Sequence, residues 1–233
     1  MTAIPYRTAL IIGTGPGISA SLARQLSNLG LKVGIAARNA GKLADLAKET
    51  GAQSFAVNAA DPAAMTRLFD EADARIGVPD LVVYNASGRV RGPLAELDPA
   101  AVKEAIDVSA FGAFLAVQQA AKRMLPKGHG AILLTGATAG VKGFALSAPF
   151  AMGKFALRGL AQSAARELSP KGIHVAHFVI DGSVKSAVRQ EPADKPDSML
   201  DPDAVAQSYI AILQQPRSAW SWEIELRPWV ENF

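Results

Sequence analysis

Short apolar runs recur along the chain at residues 9–12, 33–36, 54–57, 81–84, 131–134, 175–179 and 224–226. Most are continuous rather than alternating, the pattern of strands covered on both faces. The stretches between them are longer and carry helical spacing, as in Leu22, Leu26 and Leu29, or Leu43, Leu46 and Ala47. This alternation predicts an α/β fold: a doubly wound parallel sheet of about seven strands, with helices on both faces and right-handed crossovers. Pro62, Pro99 and Pro202 each follow an aspartate and mark helix starts, where proline is tolerated. Residues 181–200 break the rhythm. They are polar, contain Pro192 and Pro196 and show no strong period, which predicts a mobile loop, with at most a short helix, bordering a ligand.

Composition narrows the options. A chain of 233 residues without an obvious linker is expected to form one domain over residues 1–233. It has no cysteine, which excludes disulfides, thiolate catalysis and zinc–thiolate sites and fits a reducing, cytoplasmic location. His129, His174 and His177 are too scattered to suggest a metal cluster. The formal charge is only +3, and the basic residues form no run, so no nucleic-acid partner is expected. No signal peptide or membrane-spanning segment is expected either.

The first strand runs into Gly13-Thr14-Gly15-Pro16-Gly17-Ile18-Ser19 and then a helix. Glycines at such a junction let backbone amides approach a pyrophosphate, and the helix N-terminus favours its charge. Its place at the first strand–helix junction predicts the phosphate turn of a dinucleotide site. At the end of the second strand stands Ala36-Ala37-Arg38-Asn39. An acid there would bond a ribose 2′-hydroxyl, whereas an arginine accommodates a 2′-phosphate. Arg38 therefore predicts NADP(H) in preference to NAD(H).

The chain resembles the short-chain dehydrogenase/reductase family over nearly its whole length. Gly13 and Gly17 fall on the family's first two cofactor glycines, and Ser19 replaces the third. Asn58, followed by Ala59, lies where the family has an adenine-contacting aspartate. Asn85-Ala86-Ser87-Gly88 matches its Asn-Ala-Gly turn. Lys154-Phe155-Ala156-Leu157-Arg158-Gly159-Leu160 resembles its central helix. Asp181-Gly182-Ser183-Val184-Lys185-Ser186 matches its nicotinamide segment. The resemblance implies cofactor contacts from Gly13, Thr14, Gly15, Gly17, Ile18, Arg38, Asn58, Ala59, Asn85, Ala86, Ser87 and Lys154, and a carboxamide hold from Val184 and Ser186.

The family's catalytic set departs from this pattern. Its Asn, Ser, Tyr and Lys positions are occupied here by Ser109, Ala137, Phe150 and Lys154, so only the lysine is retained. Phenylalanine has no proton to give and alanine cannot bond an oxyanion. Loss of a general acid lowers a rate about 10²–10⁴-fold, and loss of an oxyanion donor about 10²–10³-fold. Ordinary carbonyl reduction by the family mechanism is expected to be crippled, while cofactor binding through Lys154 can survive. Tyr84, Thr138, Lys142, Ser147 and Asp181 are the polar residues placed to substitute.

Two functions follow from the resemblance. One is an NADP(H)-dependent oxidoreductase acting on a small molecule through a non-standard site. The other is a non-catalytic NADP(H)-binding sensor or regulatory subunit. The resemblance also implies a homodimer or homotetramer, joined through helices near residues 100–123 and 150–169. Phe155, Leu157, Leu160, Ala161, Ala164, Ala165 and Leu168 give the second of these more apolar surface than one sheet face requires.

Overall fold

The computed structural model describes residues 4–231; the remainder of the expected 1–233 range lies outside the described residues. Seven parallel strands form one sheet: β1 (Thr8–Ile12), β2 (Lys32–Ala37), β3 (Gln53–Ala56), β4 (Leu81–Tyr84), β5 (Gly130–Thr135), β6 (Ile173–Ile180) and β7 (Glu223–Leu226). Their order is β3-β2-β1-β4-β5-β6-β7. The helices are α1 (Ile18–Asn28), α2 (Ala44–Thr50), α3 (Pro62–Arg75), α4 (Pro99–Ile106), α5 (Gly112–Met124), α6 (Ala148–Leu168) and α7 (Pro202–Leu213).

Each central strand feeds two cores, because successive side chains point to opposite faces. Leu10, Ile12, Val82 and Tyr84 join Phe69, Leu115 and Leu157 on one side. Ala9, Ile11, Leu81 and Val83 join Leu22, Leu26 and Tyr209 on the other. That double burial is why the strand runs read as continuous rather than alternating. The Asp-Pro steps open α3, α4 and α7. Asp61, Asp98 and Asp201 each accept two backbone amides of the first turn, a cap worth about 1 kcal/mol apiece.

One element differs from the sequence expectation. The helix expected near residues 100–123 is broken by a π turn at Asp107–Phe111. Tyr84 donates its hydroxyl proton to the Val108 carbonyl, and Ser109 Oγ accepts the Gly88 amide at 2.9 Å. Bonds from outside the helix thus enter its ladder, a recognised cause of local widening. Residues 181–200 form no helix. They are turns tied by bridges between Val184 and Leu200 and between Ser186 and Arg189, with a Lys185–Glu191 ion pair at 2.9 Å.

The chain winds outward from β1 to β3 and then returns to β4 on the other side of β1. A crevice opens at the carboxyl ends of the strands flanking such a reversal. The glycine turn and Asn85 both stand there.

Candidate active site

The crevice is a cleft of about 1130 Å³. Of the residues expected to contact a cofactor, Gly13, Thr14, Gly15, Arg38, Asn58, Ala59, Asn85, Ala86 and Ser87 line it. Gly17 ends the turn as the N-cap of α1 with no side-chain capping bond, which leaves the first helical amides open to an anion. Gly13 has φ +86, and a Cβ there would stand 2.2 Å from the Ala86 nitrogen. Only glycine lets the turn lie this close to the β4 end. Ile18 is 8% exposed and packs into the core beneath the turn.

Ser19 had no function in the sequence beyond replacing a glycine. In the structure it is fully buried and donates to the Gly13 carbonyl at 3.2 Å, while Asn85 Nδ2 donates to its hydroxyl at 2.7 Å. Ser19 therefore pins the phosphate turn to the end of β4. Thr14 Oγ1 donates to the Ile11 carbonyl at 3.1 Å, so its side chain also braces the turn.

The cleft has room for a dinucleotide and the donors to hold one. At its outer end Arg38 and Lys42 make no ion pair with any described residue. Asn39 is occupied as a cap, accepting the Gly41 amide at 3.0 Å. Asn58 Oδ1 accepts the Ala60 amide at 3.2 Å.

The catalytic positions lie beyond the other end. Phe150 is half-buried, and the Arg89 guanidinium sits over its ring, 4.3 Å from the centroid. Lys154 Nζ lies 5.8 Å from the same centroid and donates to the Thr135 carbonyl at 2.7 Å. Only 3% of Lys154 is exposed. That burial, with the nearby Arg89 charge, pushes its ammonium down to about 7. Ala137 is extended and half-buried after β5. Ser109 is fully buried in the π turn, where the Gly88 amide occupies it.

The possible substitutes are mostly committed elsewhere. Burial raises the Tyr84 phenol well above its ordinary range. Thr138 Oγ1 donates to Asp181 Oδ1 at 2.5 Å, and Asp181 pairs with Arg227 at 3.1 Å. Lys142 is exposed, beside Phe144. Val184 and Lys185 approach Gly17, and the Ser186 and Arg189 backbones bond each other. It is Ala187 and Val188 of this segment that line the cleft.

Beneath the site, His177 is fully buried with Nδ1 3.0 Å from Glu223. Glu223 also takes two bonds from Arg158, at 2.7 and 2.6 Å. Burial drives the imidazole down to about 4 despite that carboxylate.

Comparison with known proteins places this arrangement. Residues 7–197 match the family model for short chain dehydrogenases. The chain belongs to that family. A short-chain dehydrogenase of Rhodopseudomonas palustris is 34% identical with a TM-score of 0.82, over 96% of this chain and 99% of that one. A metagenomic short-chain oxidoreductase in complex with NADP is 27% identical with a TM-score of 0.82, over 95% and 97%. The cis-4-hydroxycyclohexanecarboxylate dehydrogenase of Sinomonas cyclohexanicum is 32% identical over 74% of this chain and 72% of its own. As a member of this oxidoreductase family the chain has the family's Rossmann-type NAD(P)-binding fold. Among the described residues no group of His, Cys, Asp and Glu could hold a metal, and no helix is long and apolar enough to cross a membrane.

Proposed function

We propose that this chain is an NADP(H)-dependent oxidoreductase whose reaction proceeds without a tyrosine acid. One observation carries the cofactor reading: the uncapped start of α1 opens on the same cleft as Arg38 and Lys42, neither engaged by a described carboxylate. The pyrophosphate belongs at the first site and the 2′-phosphate at the second. The complex of the metagenomic relative with NADP supports this choice.

NADPH, when bound, supplies hydride to the substrate. The chain's own residues hold both reactants and provide the proton. Phe150 and Ala137 have none to transfer, Tyr84 and Thr138 are engaged elsewhere, and Asp181 is paired with Arg227. Lys142 stands exposed beside Phe144, and Ser147, half-buried at the start of α6, carries an alcohol proton far less acidic than an ammonium. Lys154 is left with a proton that titrates near neutrality, the range in which a general acid is most effective. Its Nζ lies 5.8 Å from the Phe150 ring centroid, so this role requires it to exchange the Thr135 carbonyl for the substrate oxygen.

The test is a fluorescence titration with NADPH and with NADH. NADPH binds at least about 10-fold more tightly in the native chain, and Arg38→Ala removes that preference, as loss of one charge-assisted contact implies. Equal affinities in the native chain would refute the reading.

A cytoplasmic homo-oligomer completes the proposal. Leu157, Ala161, Ala164, Ala165 and Leu168 of α6 are buried in the core, so they do not make the interface. Phe155 is 46% exposed, as are Phe111 and Phe114 at 42% each, the last two stacked with centroids 6.2 Å apart. These three rings are the proposed contact. Light scattering at micromolar concentration is expected to show a dimer or tetramer, and Phe155→Glu a monomer.

A further inference from the structure

We propose that Arg89 is an anion-binding residue of this cleft and that the substrate carries a carboxylate within one or two bonds of its reacting carbonyl. Arg89 stands on Phe150, where the family's proton donor would meet the carbonyl. It also lines the cleft, after the Asn85-Ala86-Ser87-Gly88 turn. It forms no hydrogen bond or ion pair with any described residue.

An arginine so placed is anomalous for its surroundings. Burial first, and then the charges of Arg189 and Arg91, both cationic, push its guanidinium below the ordinary arginine range. Lys154 adds a further cation beside the same ring. Glu104 also lines the cleft, but the charges acting on Arg89 and Lys154 are cationic, and neither side chain forms an ion pair with a described residue, so an anion entering beside Phe150 is attracted rather than merely tolerated.

Guanidinium geometry narrows the anion. Its planar fork matches a carboxylate through two parallel N–H···O bonds, and a ring beneath it fixes its position without occupying its donors. Phe150 thus has a function as a platform, although it has lost the acid. Because the platform is the catalytic position itself, the anion must be attached close to the reacting carbon. An oxo acid satisfies that distance, and a remote phosphate ester does not. The placing of the carbonyl rests on the oxidoreductase reading; the anion site does not.

The experiment compares pyruvate, acetoacetate and phenylglyoxylate with their methyl esters by isothermal titration calorimetry, on the full chain alone and with NADP⁺. At least one acid binds about 10- to 100-fold more tightly than its ester, the effect of a charge-assisted bidentate contact. Arg89→Ala removes the difference, Arg89→Lys keeps part of it, and NADP⁺ affinity is unchanged in both. The inference is overturned by equal binding of acid and ester, or by no saturable binding of any acid up to about 10 mM, beyond working substrate affinities. It is equally overturned if Arg89→Ala weakens NADP⁺, or if inorganic phosphate outcompetes every acid. If NADP⁺ itself fails to bind, the oxidoreductase reading falls, while the acid–ester comparison on the chain alone still decides on Arg89.

Discussion

Replacing Lys154 by methionine should make the cofactor-free protein more stable. The lysine is 3% exposed and its ammonium is pushed down to about 7, chiefly by burial, whereas in the unfolded chain it titrates near 10.5. Between those values the unfolded state binds more protons than the native state, so stability rises with pH across that window. Integrating the difference gives a penalty of about 4 kcal/mol near pH 7, of which about 2 kcal/mol is relieved by pH 9. Lys154→Met removes the penalty but leaves the Thr135 carbonyl without its donor, a loss of about 1–2 kcal/mol. A methionine fills much the same space. The expected net gain is about 2 kcal/mol near pH 7, with a flat profile toward pH 9. Urea unfolding followed by tryptophan fluorescence reads both quantities. Measurements stay below about pH 10 because the buried tyrosines, with raised phenol values, begin to lower stability there as they ionise in the unfolded chain. A native profile that is flat between about pH 7 and 9, or a variant less stable than the native chain at pH 7, refutes the reasoning. The stabilised variant should also lose turnover, the usual exchange at a strained functional site.

Other outcomes test neighbouring parts of the site. Phe150→Tyr with Ala137→Ser restores a phenolic acid and a hydroxyl donor, and should raise NADPH oxidation on a broad panel of ketones and aldehydes from near zero to a measurable rate. Robust native turnover on the uncharged members of that panel would show that the missing pair is not limiting. His177, held down at about 4 and fully buried, is neutral in the native state while the unfolded chain protonates below its ordinary value. Stability should therefore fall by about 2 kcal/mol from pH 7 to pH 5, and His177→Gln should flatten that stretch in urea unfolding. An equal acid slope in the variant would remove His177 from the account. Glu223, whose carboxyl is lowered by Arg158, contributes in the same direction only further into acid.

All seven strands were legible, and the three Asp-Pro helix starts among the helices, because these signals are local. Buried runs such as Leu81–Tyr84 and the Asp-Pro pairs need only neighbouring residues to be read. The glycine turn and the residues after β2, β3 and β4 were legible for the same reason, and nine of them converge on the cleft. What escaped depends on distant partners. The π turn arises from Tyr84 and Gly88 meeting Val108 and Ser109. The bracing by Ser19 needs Asn85 across the crevice. Arg89 left a faint signal, two arginines after the β4 turn with no acid before Glu96, but its seat on Phe150 is visible only in three dimensions. Most of the apolar surplus of α6 proved to be core, since periodicity cannot distinguish a wide buried face from a partner-facing one.

The π turn at Asp107–Phe111 bears on which changes of chain length this protein can tolerate. Such a turn holds one residue more than an α turn, so it is equivalent to a single insertion locked into a helix. Deleting one residue between 107 and 111 would let the helix close to an ordinary α turn while α5 keeps its facing, because the extra residue is absorbed within the turn. Leu115, Ala116 and Ala120 would stay buried, and the loss would fall on the local bonds that Tyr84 and Gly88 make to Val108 and Ser109. One residue lost from α5 itself has no such reserve: the helix between the cut and Met124 would turn by about 100° relative to the rest. A deletion scan should therefore find these five residues better able to keep the core in register than the regular turns of α5 that follow.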